Sequence, residues 1–205
     1  MIGRMRVILV RHPEADIAPG HCYGRLDLAL SAGGVAALEP IRAALCATGI
    51  NRVRTSPARR CRRVASLLAP DPVADPLLQE LEFGAWEGVR WDAIPRAALD
   101  AWAADPVGFA PPGGESGADL RRRITAVCAG LRDRGEDCIV ITHGGPLRLL
   151  PALLRGEPAD LLAPAPPLGA IIPIELHDTH ASSVSAAHSD TTAQPPSTSP
   201  VKPPI

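Results

Sequence analysis

The chain has 205 residues, 46% hydrophobic and 21% charged, enough for one sizeable domain with a full core. A formal net charge of -1 argues against general attraction to nucleic acid or to an acidic membrane. Five cysteines without a Cys-x-x-Cys pair argue against a zinc ribbon or a disulfide framework, and the apolar run ahead of Arg11 is too short for a signal peptide or membrane span, so a reducing cytoplasm is expected.

Arg6 to Val10 is a short aliphatic, β-branched run that predicts a buried parallel strand. Pro13 to Leu30 has no period and reads as loop. Ser31 is placed to cap a helix through Cys46, with Val35, Leu38, Ile41 and Leu45 at helical spacing and Pro40 interrupting it. Arg52 to Thr55 predicts a second strand, Arg59 to Leu68 a helix closed by Pro70, and Val73 to Leu78 an edge strand. Glu80 to Gly117 is irregular and holds all three tryptophans, with one helical patch near Ile94 to Ala103. Asp119 to Arg134 is amphipathic, with Leu120, Ile124, Val127 and Leu131 on one face. Ile139 to Thr142 is a second apolar strand that ends on a histidine, followed by a helix over Gly145 to Leu154 and a last strand over Ala170 to Leu176.

Strands alternating with helices predict an α/β fold, a three-layer α/β/α sandwich around a mainly parallel sheet, over residues 1–177. From Asp178 onward Ser, Thr, Ala and Pro dominate, and residues 178–205 are expected to be a disordered tail.

The opening strand runs straight into Arg11-His12, two neighbouring groups that can both be cationic. Each is costly to desolvate unless an anion belongs between them. His143 ends the second apolar strand in the same way, and sites in such sheets gather beyond the carboxyl ends of strands. Arg60 in "TSPARRCR" and Glu80 in "LQELEFGAWEG" complete the set. Each has an ordinary explanation when taken singly: a structural histidine, a solvated arginine face, an exposed carboxylate before a turn. Jointly, two histidines, two arginines and one carboxylate in a single crevice would suit a phosphate. Guanidinium forks match its oxygens, and an imidazole kept neutral among cations is free to act as nucleophile.

The blocks "LVRHPEAD", "CYGRLDLALS", "TSPARRCRRVA", "LQELEFGAWEG", "GGES" and "ITHGGPLR", in this order over about residues 5–176, resemble the histidine phosphatase superfamily, the phosphoglycerate mutase-like proteins. Within it, "GHCYGRLDLALS" with "EFGAWEG" is most similar to the alpha-ribazole phosphatase branch of cobalamin synthesis. The resemblance implies a phosphoglycerate mutase-like fold and a catalytic set of His12, Arg11, Arg60, His143 and Glu80. His12 would be the nucleophile that forms a phosphohistidine. Arg11 and Arg60 would hold the phosphoryl oxygens, and His143 with the Gly144 N–H would steady the developing charge. Glu80 would be the proton donor, with Glu82 the competing choice. No metal or other cofactor is implied.

Two departures stand out. Pro13 replaces the glycine that usually follows the nucleophile, so an amide is lost while the carbonyl survives to hold His12 Nδ1–H. Ala58 replaces a larger apolar residue. On the leaving-group side the candidates are Tyr23, Arg25, Trp86, Trp91, Trp102 and Phe109, which fall in the two long loops flanking the motifs. Clustered aromatic rings would suit a flat riboside, the alternative being that the rings simply pack the irregular segment onto the sheet. The expected partner is a small phosphomonoester, with no nucleic acid and no membrane, and a homodimer is left open. Alongside alpha-ribazole 5′-phosphate or a cobamide 5′-phosphate stand a broad-specificity phosphatase, a phosphoglycerate mutase-type phosphotransferase, and a protein phosphohistidine phosphatase or non-catalytic module.

Overall fold

The computed structural model describes residues 4–177, so the expected tail lies outside the described residues. Five strands, β1 (Arg4–Arg11), β2 (Val53–Thr55), β3 (Val73–Ala74), β4 (Cys138–Thr142) and β5 (Ile171–His177), form one sheet in the order β3-β2-β4-β1-β5. Neighbours are parallel except β5, which runs antiparallel to β1.

The helices are α1 (Ala32–Ala36), α2 (Leu38–Cys46), α3 (Arg59–Ala65), α4 (Arg96–Ala104), α5 (Gly117–Arg134) and α6 (Gly144–Arg155). Side chains alternate across a strand, and both faces of the sheet are covered. Val7, Leu9, Cys138 and Val140 join the core under α5 and α6. Ile8, Val10, Ile139 and Ile141 join the core under α2 and α3. That accounts for the continuous apolar runs in β1 and β4, and it makes the molecule the expected three-layer, mainly parallel sandwich.

Several expected elements change in detail. The helix foreseen over Ser31 to Cys46 is two helices, broken at Ala37. Pro40 has no N–H for the Ala36 carbonyl, so continuous α-helical bonding cannot run through that turn, yet Pro40 is tolerated near the start of α2. Val35 therefore leaves the apolar face and is 51% exposed, whereas Leu38, Ile41 and Leu45 are buried. The edge strand foreseen to Leu78 stops at Ala74. Pro76 cannot donate to a ladder, and the Asp75 carboxylate accepts the Leu77 N–H at 2.9 Å, turning the chain into a 3₁₀ turn over Pro76–Leu78. α5 starts earlier than foreseen because Ser116 and Asp119 form a reciprocal capping box.

Register positions the site. Arg11 pairs with Thr142 across β1 and β4, so His12 and His143 emerge side by side at the carboxyl edge of the sheet.

Candidate active site

His12 is buried, and its Nδ1 lies 2.6 Å from the Pro13 carbonyl. A carbonyl can only accept, so Nδ1 carries the proton and Nε2 keeps its lone pair. Pro13 thus holds the ring through its surviving carbonyl, as expected, although it has no amide to offer. Arg60 Nε donates to that Nε2 at 3.3 Å. Burial first, and the neighbouring Arg60 second, push the His12 pKa from 6.5 down to about 3, so the ring is neutral at physiological pH.

Arg60, in the first turn of α3, is fully buried. Its guanidinium donates to the carbonyls of Gly24 at 2.6 Å and Leu26 at 2.8 Å, and to His143 Nδ1 at 3.1 Å. It also sits 5.4 Å from the centre of the Tyr23 ring. Because Arg60 can only donate, His143 accepts at Nδ1, and its Nε2–H donates to Ser56 Oγ at 2.7 Å. Burial, followed by Arg60, holds His143 well below its ordinary range as well. The two imidazoles are 5.1 Å apart, centre to centre.

Arg11 closes the group. Its Nη1 donates to the Pro166 carbonyl at 2.5 Å, while its Nε is buried without a partner among the described residues. Burial lowers its pKa and the Glu80 carboxylate opposes that shift. Gly144, which opens α6, lets the guanidinium approach the backbone. A Cβ there would meet Arg11 Nη2 at 3.2 Å.

Glu80 accepts the Gly145 N–H in the first turn of α6 at 3.0 and 3.1 Å, and the Leu81 N–H at 2.9 Å. Glu82 turns elsewhere, toward Arg25 at 3.7 Å with its side chain 44% exposed. Arg25 is itself held by the Glu80 carbonyl and Gln79 Oε1, both at 3.2 Å. A crevice of about 180 Å³ opens here, lined by Gly24, Arg25, Ala58, Gln79, Glu80 and His143 among others.

Trp86 requires a correction. It is buried in a separate small core, stacked on Phe109 and edge-on to Trp102, and it does not line the crevice. Trp91 stacks on Trp102 in the same cluster. The rings fold the irregular segment onto itself, because burying apolar rings against each other is worth more there than exposing them.

Two polar residues escaped sequence reasoning. Ser56 follows the last residue of β2, and its signals were that strand-end position and its place inside the "TSPARRCRRVA" block. Glu87 lies inside the "EFGAWEG" block, yet only the fold shows that its carboxylate accepts the backbone N–H groups of Gly24 (2.9 Å), Arg25 (2.8 Å), Leu26 (3.1 Å) and Phe83 (3.1 Å). The loop it gathers supplies the two carbonyls that grip Arg60.

A buried guanidinium and a half-buried one beside two neutral imidazoles, at the carboxyl edge of a mainly parallel sheet, are chemically suited to a tetrahedral dianion. Family comparison agrees with the motifs: the chain belongs to the histidine phosphatase superfamily (branch 1), whose pattern matches residues 7–187. It is similar to the putative phosphoserine phosphatase 2 of Hydrogenobacter thermophilus, 26% identical over 160 residues covering 74% of this chain and 79% of the relative. It is also similar to the adenosylcobalamin/alpha-ribazole phosphatase of Escherichia coli K12, 28% identical over 168 residues covering 77% of this chain and 83% of the relative. Among solved structures, a phosphoglycerate mutase from Thermus thermophilus superposes with a TM-score of 0.67 at 31% identity, covering 83% of this chain and 92% of that one. Among the described residues no helix is long and apolar enough to cross a membrane.

Proposed function

We propose that the chain hydrolyses phosphomonoesters through a phosphohistidine on His12. The observation that carries this reading is the tautomer of His12. Pro13 holds the proton on Nδ1, and burial beside Arg60 keeps Nε2 unprotonated. Arg11 and Arg60 bind the nonbridging oxygens, and His143 with the Gly144 N–H lies beside the phosphoryl group as charge builds. Nε2 forms the bond to phosphorus while the ester P–O bond breaks, and Glu80 gives its proton to the leaving alkoxide. A water then passes a proton back to Glu80 and attacks phosphorus. The N–P bond breaks, inorganic phosphate leaves, and His12 returns to its starting state.

For the substrate, the "GHCYGRLDLALS" and "EFGAWEG" blocks and the Escherichia coli relative favour alpha-ribazole 5′-phosphate or a cobamide 5′-phosphate, with Tyr23 and Arg25 on the leaving-group side. A second reading, a broad-specificity phosphatase or a phosphoglycerate mutase-type phosphotransferase, draws on the small crevice, on the relative named for phosphoserine and on the Thermus neighbour. Comparing kcat/KM for alpha-ribazole 5′-phosphate, phosphoserine and 3-phosphoglycerate separates the two. The mechanism itself is tested by His12→Ala. Hydrolysis of p-nitrophenyl phosphate should fall at least about 10³-fold with thermal stability retained, and undiminished turnover would exclude the phosphohistidine.

A further inference from the structure

A second cleft, of about 620 Å³, lies on the β2–β3 side of the sheet, and Arg59, Arg62 and Arg63 line it together with Leu30 and Val35. Other arginines among the described residues pair with carboxylates, as Arg6 does with Asp137 and Arg123 with Glu115. Among the described residues, the guanidiniums of these three have no hydrogen bond and no ion pair, and no carboxylate lines the cleft.

Arg62 and Arg63 lie in the last turn of α3, where a cation suits the helix dipole, yet all three arginines crowd one surface. They stand at i, i+3 and i+4 of a seven-residue helix, so the charges repel along one face. The amino end of α3 is met by Asp27, whose carboxylate accepts the Arg59 N–H at 2.7 Å, but Asp27 does not line the cleft and makes no ion pair with these guanidiniums among the described residues. Val35 leaves an apolar side chain 51% exposed at the same cleft. Three unpaired guanidinium forks beside uncovered aliphatic surface match an organic body that carries phosphate groups. The volume is that of a small-molecule site, which a nucleic acid or a folded partner would not need.

We propose that this cleft is a second anion site, distinct from the His12 crevice, for a small organic molecule bearing a phosphate or diphosphate group. The group has two potential sources: the far end of a substrate whose reacting phosphate lies at His12, or a separate effector.

Inorganic pyrophosphate is the probe, titrated calorimetrically into the full-length protein and into the Arg62→Gln/Arg63→Gln double variant. Wild type should show two classes of site. The double variant should lose one of them, or have it weakened at least about tenfold for the charge-assisted hydrogen bonds removed, while kcat/KM for p-nitrophenyl phosphate stays within about twofold. Where the source is a substrate, KM for a bisphosphorylated substrate rises in the double variant and that for p-nitrophenyl phosphate does not. Where it is an effector, both KM values are unchanged and only pyrophosphate binding falls. A single class of site in wild type, or identical binding by the two proteins, overturns the proposal. The result does not depend on phosphatase activity, so failure of the His12 mechanism would be seen separately, in undiminished p-nitrophenyl phosphate turnover by His12→Ala.

Discussion

At His12 and His143, burial among guanidiniums sets the protonation state, and that has a consequence for stability. Unfolded histidine takes up a proton near pH 6.5, whereas folded His12 resists it down to about 3. Between those values the unfolded state binds more protons, so the free energy of unfolding falls as the pH is lowered from 6.5 toward 3. Urea midpoints measured from pH 7 to pH 4 should decline, and the decline should be shallower in His12→Gln, which has no proton to take up. A variant profile as steep as the wild type would show that His12 is not the group responsible. Inorganic phosphate in the buffer should oppose the decline, because a bound anion lowers the penalty of charging the rings. A second prediction at this scale separates Glu80 from Glu82. Glu80→Gln should slow alkyl phosphates by about 10²-fold or more and p-nitrophenyl phosphate far less, since nitrophenolate leaves without a proton. Glu82→Gln should behave as wild type. The reverse pattern would move the acid role to Glu82.

Elements matter here mainly through the loop at Gly24–Leu26, which is not regular structure yet fixes a buried arginine. Glu87 gathers its amides, the loop's carbonyls hold Arg60, and Arg60 bonds both histidines. Glu87→Ala strands those amides and should destabilise the protein by about 1–3 kcal/mol. It should also raise KM for p-nitrophenyl phosphate, because Arg60 loses its alignment with the phosphate, and inhibition by orthovanadate should weaken in parallel. A loss of stability with unchanged KM would leave Glu87 purely structural. The amino end of α6 shows the same dependence on close approach. A Cβ on Gly145 would stand 2.2 Å from Glu80 Oε1, so Gly145→Ala must displace the carboxylate. Its effect should mimic Glu80→Gln, falling on poor leaving groups first.

Across the whole molecule, two cores sandwich the sheet and leave the cysteines in very different surroundings. Cys22, Cys61, Cys128 and Cys138 are buried, and only Cys46 is exposed. Burial raises the Cys22 and Cys61 thiols to about 12 and those of Cys128 and Cys138 to about 11. One thiol should therefore react quickly with Ellman's reagent in the native protein at pH 8, and all five once it is unfolded. Fast reaction of several thiols in native buffer would mean that these cores open readily. Cys61 is the most telling of the four, since its sulfur lies 3.6 Å from His143 Nε2, and its labelling would report opening of the site itself.

Chain order alone was enough to read the α/β alternation, because a strand must be continuously apolar where both its faces are covered, as β1 is over Val7, Ile8, Leu9 and Val10 and β4 is over Ile139, Val140 and Ile141, and because apolar residues at helical spacing mark α5. The same logic picked out Arg11, His12 and His143, since charge at the end of such a strand is conspicuous. Long-range geometry was out of its reach. Nothing near Trp86 or Glu87 in the sequence states which way the side chain points. Trp86 went to the small aromatic core because Trp102 and Phe109, distant in sequence, were there to cover it. Glu87 turned inward because the Gly24–Leu26 loop offered unpaired amides. Where a side chain's energy is decided by partners far along the chain, only the tertiary structure could make the choice.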